Sequence, residues 1–222
     1  MNIEALIFDL DGTLLDTIED IAAANNKMLK MSNFPIHDTK KYIGLIGEGV
    51  EKMVSGSLPS DLKPDKDLLK KYVALYSSLY STKIAVKSCI YKGIDLVLDY
   101  LKTKKIPVSV NTNKPHEQTI SLYDKFFQKW NFNQVIGHMD GNPHKPNPAG
   151  ALAISSELNV KPENTLFIGD SLIDILTARA AGMIPVAVGW GYGNKKELIN
   201  SDYYSMVQTP EELLIFLKAQ FG

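Results

Sequence analysis

The sequence predicts an α/β protein: a Rossmann-like three-layer core with a mostly parallel sheet, plus a small all-helical cap domain inserted after the first strand. Two observations indicate this class. From Tyr91 onward, short apolar runs typical of strands alternate with segments of helical periodicity, which is the pattern of a parallel sheet covered on both faces. A first strand at residues 5–8 is separated from that region by a block in which no strand pattern appears.

The elements of the first part follow from their periodicity. Residues 5–8 form a continuous apolar run, as expected for a buried strand. Apolar residues between positions 18 and 29 recur at helical spacing, and residues 68–80 form a strongly amphipathic helical pattern. A glycine-punctuated stretch at residues 44–56 separates these two helices.

This order predicts a discontinuous core with an insertion. We expect residues 1–15 and 87–222 to form the core, and residues 16–86 to form the cap domain. Linkers near residues 15–17 and 85–88 are the candidate hinges between them.

The second part alternates between the two periods. Along the chain, helical and strand patterns follow one another in a regular order. The pattern predicts helices at 94–101, 120–127, 152–158, 172–176 and 213–217, and strands at 107–110, 134–136, 165–168 and 184–188.

Composition limits the possible functions. The chain has 222 residues and a formal net charge of -1, which argues against nucleic acid as a partner because that would require a basic face. No apolar stretch approaches the roughly 20 residues that span a bilayer, and Asp9 and Asp11 interrupt any signal-like run. The single cysteine, Cys89, is expected to be a small buried side chain in a reducing compartment. We therefore expect a cytoplasmic protein with no membrane association, either a monomer or a weak homodimer.

Unusual polar residues follow several of the predicted strands. Asp9 and Asp11 come directly after the first strand, residues 111–114 follow the second, and residues 169–171 follow the strand at 165–168. A separate lysine, Lys145, lies just before a predicted helix. Because ligands of open parallel sheets bind beyond the carboxyl ends of the strands, these segments are expected to converge on one crevice.

Carboxylates packed together repel one another unless a cation lies among them, and ligation by oxygen atoms alone is a Mg²⁺ preference. Asp9 and Asp170 are the expected direct ligands, and Asp174 lies one helical turn after Asp170 on the same face. Thr112 and Asn113 can donate hydrogen bonds to phosphate oxygens.

Two lysines compete for the role of the cation beside the phosphate. Lys145, in the segment His-Lys-Pro-Asn-Pro, is favoured, and Lys114 is expected to be a loop charge near the mouth of the crevice. Ser171 is a candidate phosphate ligand that could instead cap the following helix.

The segment Asp-Leu-Asp-Gly-Thr at residues 9–13 resembles motif I of the haloacid dehalogenase (HAD) superfamily of phosphatases and phosphotransferases. Thr112 matches the superfamily's motif II, Lys145 matches motif III, and Asp170 with Asp174 matches motif IV. The resemblance covers essentially the whole chain. It implies a helical cap inserted after motif I, as the periodicity also indicates.

The resemblance also implies roles for individual residues. Asp9 corresponds to the nucleophile that forms an aspartyl-phosphate, and Asp11 to the general acid and base. The main-chain carbonyl of Asp11 corresponds to a further metal ligand, and Gly12 and Thr13 shape the turn and contact phosphate. The dehalogenase branch lacks an acid at the position of Asp11, so phosphoryl transfer is expected.

Within the superfamily, residues 111–115, 145–148, 168–171, 189–193 and 210–213 resemble the phosphoglycolate phosphatase-like branch. The expected function is therefore Mg²⁺-dependent hydrolysis of a small phosphomonoester. Alternatives are a phosphosugar mutase of the same fold, a pyrophosphatase, and a non-catalytic binding protein, the last opposed by the intact set of motif residues.

One absence weakens the expectation that phosphoglycolate is the substrate. The cap contains no arginine, and the chain's single arginine, Arg179, lies beside the motif IV helix. An arginine fork would suit a carboxylate, which Lys41 or Lys52 would bind less specifically. Glu48, in the glycine-rich segment 44–49 that resembles the family's specificity loop, would repel a carboxylate if it pointed inward.

Overall fold

The structure, a computed structural model, describes residues 2–222. Its strands are β1 (Ala5–Phe8), β2 (Leu15–Asp16), β3 (Cys89–Ile90), β4 (Val108–Pro115), β5 (Gln134–His138), β6 (Thr165–Gly169), β7 (Ile184–Val188) and β8 (Ser205–Val207). The main sheet is parallel throughout, with strand order β5-β4-β1-β6-β7-β8. β2 and β3 form a separate antiparallel pair.

Ten α-helices accompany the strands within the described residues. They are α1 (Ile18–Met31), α2 (Thr39–Ile43), α3 (Val50–Ser57), α4 (Lys66–Thr82), α5 (Ile94–Thr103), α6 (His116–Phe126), α7 (Ala149–Glu157), α8 (Leu172–Ala180), α9 (Lys195–Ile199) and α10 (Pro210–Phe221).

The side chains of β1 explain the three layers. Successive side chains of a strand point to opposite faces, so Leu6 and Phe8 pack with α5 and α10 while Ile7 packs with α7 and α8. All four residues of β1 are fully buried. The register aligns Phe8 with Val110 of β4 and Ile168 of β6. The residues that follow these three strands therefore leave the sheet at one edge.

Helices α1 to α4 form a block with its own hydrophobic cluster, which includes Met28, Leu29, Val54, Tyr76 and Tyr80. The cluster explains the apolar stripe of α4, whose first turn is capped by the Asp65 carboxylate accepting from Leu68 N. The block connects to the sheet through β2 and β3, which pair Leu15 with Ile90. No helix among the described residues is long and apolar enough to cross a membrane.

The elements that periodicity missed are short. The pair β2–β3 contains two residues in each strand, β8 contains three, α2 and α9 contain five each, and α3, within the glycine-punctuated stretch, contains eight. Such segments are too brief to display a period of 2 or 3.6. The expectation that Cys89 is buried was wrong: it lies in β3 and is exposed.

Candidate active site

Lys145 joins two of the predicted acids. Its Nζ lies 2.8 Å from Asp9 Oδ1 and 2.6 Å from Asp174 Oδ1, and its side chain is almost fully buried. Burial opposes the charged form of Lys145, but Asp174 and Asp9 outweigh it and raise the pKa of the ammonium group above its ordinary value. For Asp9, burial dominates over the attraction of Lys145 and raises the pKa of its carboxyl to about 6.

Asp170 follows β6 and accepts hydrogen bonds on both oxygens. Oδ2 accepts from the main-chain N–H groups of Tyr192 (2.6 Å) and Gly193 (3.0 Å), and Oδ1 accepts from Thr13 Oγ1 (3.1 Å). Burial, with the neighbouring charges of Asp174 and Asp9, nevertheless raises its pKa to about 7. Thr13, a predicted phosphate contact, thus orients Asp170 in the structure, and its contact with phosphate stays a prediction.

Gly12 makes room for Asp170. Its φ of +86° lies in the left-handed region, and a Cβ atom there would lie 2.5 Å from Asp170 Oδ2. On the opposite side, a Cβ at Gly191 would overlap the same oxygen. Two glycines therefore lie against the same carboxylate, which is why the turn after β1 requires glycine at position 12.

Ser171 caps α8 rather than standing free. Its Oγ donates to Asp174 Oδ2 (2.6 Å), and its main-chain N–H donates to the same oxygen (3.1 Å). This capping box fixes Asp174 so that its other oxygen faces Lys145. A cavity lies between the helical block and the carboxyl ends of the strands, and Ser171 lines it together with Asp9 and Asp11. The predicted contact of Ser171 with phosphate stays a prediction.

Asp11 is held by a second buried lysine. Lys114 Nζ lies 3.0 Å and 3.2 Å from its two carboxylate oxygens, and Thr17 Oγ1 donates to Oδ1 at 2.7 Å. The interpretation of Lys114 as a loop charge at the crevice mouth was wrong. Strand β4 continues through Pro115, five residues beyond the predicted end, and carries Lys114 inside, where its side chain is 3% exposed.

Thr112 and Asn113 lie in the same extension of β4, and both are buried. Thr112 lines the cavity beside Asp9 and Asp11, and its predicted hydrogen bond to phosphate stays a prediction. Asn113 accepts from Lys145 N (2.8 Å) and donates to the carbonyls of Lys145 (3.1 Å) and Gly47 (2.8 Å). Asn113 thus holds the Lys145 loop and contacts the cap, and its predicted bond to phosphate stays a prediction.

The predicted ligand set fits a divalent cation. Asp9, Asp170 and Asp174 each present an oxygen within 4.8 Å of the others, and all three side chains are buried. Two of these carboxyls have raised pKa values because burial penalises their charges. A cation among them would offset that penalty, and oxygen ligands suit Mg²⁺.

The family model of haloacid dehalogenase-like hydrolases matches residues 6–188, which include Asp9, Asp11, Lys145, Asp170 and Asp174. The chain belongs to this family. The match covers the helical block and the strands of the main sheet other than β8, and the fold class predicted from the sequence is confirmed.

Two relatives align with more than nine-tenths of this chain. A phosphoglycolate phosphatase from Nitrosospira multiformis is 34% identical over 211 residues, covering 92% of this chain and 91% of that protein. One from Colwellia psychrerythraea is 32% identical over 219 residues and covers 97% of both.

Solved structures share the fold. A haloacid dehalogenase-like family hydrolase from Streptococcus pneumoniae has a TM-score of 0.86 at 26% identity, covering 97% of this chain and 99% of that one. A predicted phosphoglycolate phosphatase from Haemophilus somnus has a TM-score of 0.90 at 24% identity, covering 98% and 99%.

Two residues at the site were not identified from the sequence. Gln118, in the first turn of α6, is 5% exposed and lines the cavity. Tyr192 contacts both Asp170 and the start of the helical block. A glutamine in an amphipathic helix gives no signal of its own, but Tyr192 lies in the segment Gly189–Gly193, whose glycines could have indicated a close approach.

Proposed function

We propose that this chain is a Mg²⁺-dependent phosphomonoester hydrolase that acts on 2-phosphoglycolate through an aspartyl-phosphate. The observation that carries the proposal is the single cluster in which Asp9 contacts Lys145, with Asp170 and Asp174 beside it and Asp11 at the neighbouring position. Substrate identity is supported by the two relatives named phosphoglycolate phosphatase, which align over more than nine-tenths of their length.

The geometry suggests how the residues divide the reaction. Asp9 attacks phosphorus, and the bond between phosphorus and the leaving oxygen breaks as Asp11 donates a proton to that oxygen. A water then attacks the phosphorus of the aspartyl-phosphate while Asp11 accepts its proton, and the bond between phosphorus and the Asp9 oxygen breaks, which releases phosphate and restores the Asp9 carboxylate. Lys145 reduces the repulsion between anionic nucleophile and anionic phosphate.

Asp9, Asp170 and the main-chain carbonyl of Asp11 would hold Mg²⁺, with Asp174 holding one of its waters. When bound, the ion supplies positive charge that offsets the negative charge of the phosphoryl group.

The mutase alternative requires the phosphoryl group to return to a sugar hydroxyl, and the named relatives do not favour it. The core residues recognise only a phosphoryl group, which pyrophosphate also contains. Activity measurements therefore distinguish pyrophosphate from a phosphomonoester as the substrate.

Phosphate release from phosphoglycolate, sugar phosphates, nucleotides and pyrophosphate tests the proposal, with and without Mg²⁺. Asp9→Asn should lower turnover by a factor of about 10⁴ or more, because an amide cannot attack phosphorus. Asp140→Asn, the same change at an exposed position, is the control. Turnover in EDTA, or a fully active Asp9→Asn, would contradict the mechanism, and a preference for another substrate would contradict the assignment of phosphoglycolate.

A further inference from the structure

The cavity above Asp9 and Asp11 has two unlike walls. The helical block contributes apolar side chains and one tyrosine, namely Ile21, Ile46, Val50, Met53 and Tyr76, together with two glycines. The opposite wall contains the reacting residues and, beside them, Lys114 and Gln118. These two polar side chains have no part in the phosphoryl transfer described above.

Lys114 is differently placed from Lys145. Lys145 is held between two acids, whereas Lys114 pairs with Asp11 alone, and its Nζ lies 4.5 Å from the centre of the Tyr80 ring. A lysine is a strongly hydrated cation, so complete burial is costly unless its donors are used. Its ammonium group has three donors, and Asp11 is its hydrogen-bond partner among the described residues.

Gln118 supplies an independent observation. Only 5% of the surface of this residue is exposed. Its Oε1 atom is buried and has no hydrogen-bond partner among residues 2–222. Leaving a buried amide without partners is costly, so an unpartnered amide at the wall of a cavity points to a ligand in that cavity. Rotation about the last side-chain bond exchanges oxygen and NH₂, so the same position can present donors to an anion.

The N-terminus of α6 adds a partial positive charge to that of Lys114. The helix has 11 residues, its N-cap is Pro115, and no side chain caps its first N–H groups. Pro115 and Gln118 both line the cavity, so the positive end of the helix lies at the same wall as Lys114.

The cationic side chains that the sequence analysis considered as partners of a substrate carboxylate do not line the cavity. Lys52 forms an exposed pair with Glu48, and Arg179 pairs with Asp202 at the surface. Lys41 is also exposed. Glu48 therefore does not repel an anion in the cavity, and among the described residues the lysines that line the cavity are Lys114 and Lys145.

We infer that Lys114 and Gln118, with the first turn of α6, form the subsite for the carboxylate on the leaving group of the substrate. The inference rests on the proposed function, because Asp11 marks the position of the leaving oxygen and Lys114 lies in contact with Asp11. In 2-phosphoglycolate a single methylene carbon separates that oxygen from the carboxylate. Lys114 and Gln118 would thus take the part of the absent arginine fork.

The test measures discrimination rather than activity alone. Binding of 2-phosphoglycolate and of ethyl phosphate, which lacks the carboxylate, is measured by calorimetry with Mg²⁺ in the Asp9→Asn background. Adding Lys114→Met should lower the ratio of the two affinities by about 10- to 100-fold, and adding Gln118→Leu should lower it by about 3- to 10-fold. Lys129→Met and Gln128→Leu, the same changes at exposed positions outside the cavity, are matched controls that should leave the ratio unchanged.

An unchanged ratio in either folded variant would remove that residue from the subsite, and an unchanged ratio in both would overturn the inference. Gln118→Leu leaves the Asp11–Lys114 pair in place, so it decides the matter if Lys114→Met does not fold. Turnover by the wild type is measured in parallel. Hydrolysis with an unchanged ratio defeats the subsite alone, whereas a lowered ratio without any hydrolysis defeats the proposed function alone.

Discussion

Asp170 has a buried carboxylate whose ionisation works against folding when no cation is bound. Its pKa is raised from 3.8 to about 7, and burial is the main cause. The folded protein therefore binds a proton here more tightly than the unfolded chain does. The free energy of unfolding is therefore not reduced by Asp170 below pH 3.8, the pKa of the unfolded chain. It decreases as the pH rises from 3.8 to about 7, the pKa in the folded protein.

This predicts a stabilising substitution at the site. In EDTA at pH 8, Asp170→Asn should raise the midpoint of thermal unfolding, because a neutral amide can still accept from Tyr192 N and Gly193 N. The shift is roughly 2–4 °C for each kcal/mol in a chain of this size. It should shrink at pH 5, where the wild-type carboxyl is protonated, and reverse when Mg²⁺ stabilises the wild type. A variant less stable than the wild type at pH 8 in EDTA would contradict the prediction.

At the scale of elements, the turn between β1 and β2 controls the site. Gly12 and Gly141 have nearly equal φ values, +86° and +87°, but a Cβ at Gly141 would meet no atom within 4 Å. The two positions therefore separate backbone strain from crowding against Asp170.

Gly12→Ala should weaken the activation of phosphatase activity by Mg²⁺ by at least about 10-fold, because displacing Asp170 by a fraction of an ångström disturbs its ligand geometry. Gly141→Ala should cost only the strain of a left-handed alanine, about 1 kcal/mol of stability. Titration of activity with Mg²⁺ and thermal unfolding measure the two effects. Equal behaviour of the two variants would mean that crowding at Asp170 is unimportant.

At the scale of the whole molecule, two side chains hold the linkers of the helical block. The hydroxyl of Tyr192 accepts from Thr17 N (2.6 Å) and Ile18 N (3.0 Å) and donates to Asp16 Oδ1 (2.6 Å). The buried carboxylate of Asp20 accepts from Lys87 N and from both the N–H and hydroxyl groups of Ser88. The core thus contacts the outgoing linker through a residue that also binds Asp170.

Tyr192→Phe removes that contact without removing the main-chain bond to Asp170. We expect the amides of Thr17 and Ile18 to exchange hydrogen faster, because they lose their acceptor. The loss of stability should be about 1–3 kcal/mol. Tyr204→Phe, at a half-exposed tyrosine, serves as the control for the same chemical change. Unchanged exchange at Thr17 and Ile18 would show that Tyr192 does not hold the linker.

The sequence by itself determined the alternating elements, the helical block and the motif residues. Buried strands such as Ala5–Phe8 and Ile184–Val188 are visible because apolar runs between turns report burial directly. Asp9 and Asp170 are visible because charges at strand ends are costly without a function, and Lys145 is visible through its match to motif III.

Only the tertiary structure decided which charges meet. Lys114 became a buried partner of Asp11 because β4 pairs with β5 beyond the apolar run, where Pro115 aligns with His138. Gln118 and Tyr192 acquired their places from packing between elements distant in sequence. Such contacts depend on the register and crossing of whole elements, and local periodicity contains no information about either.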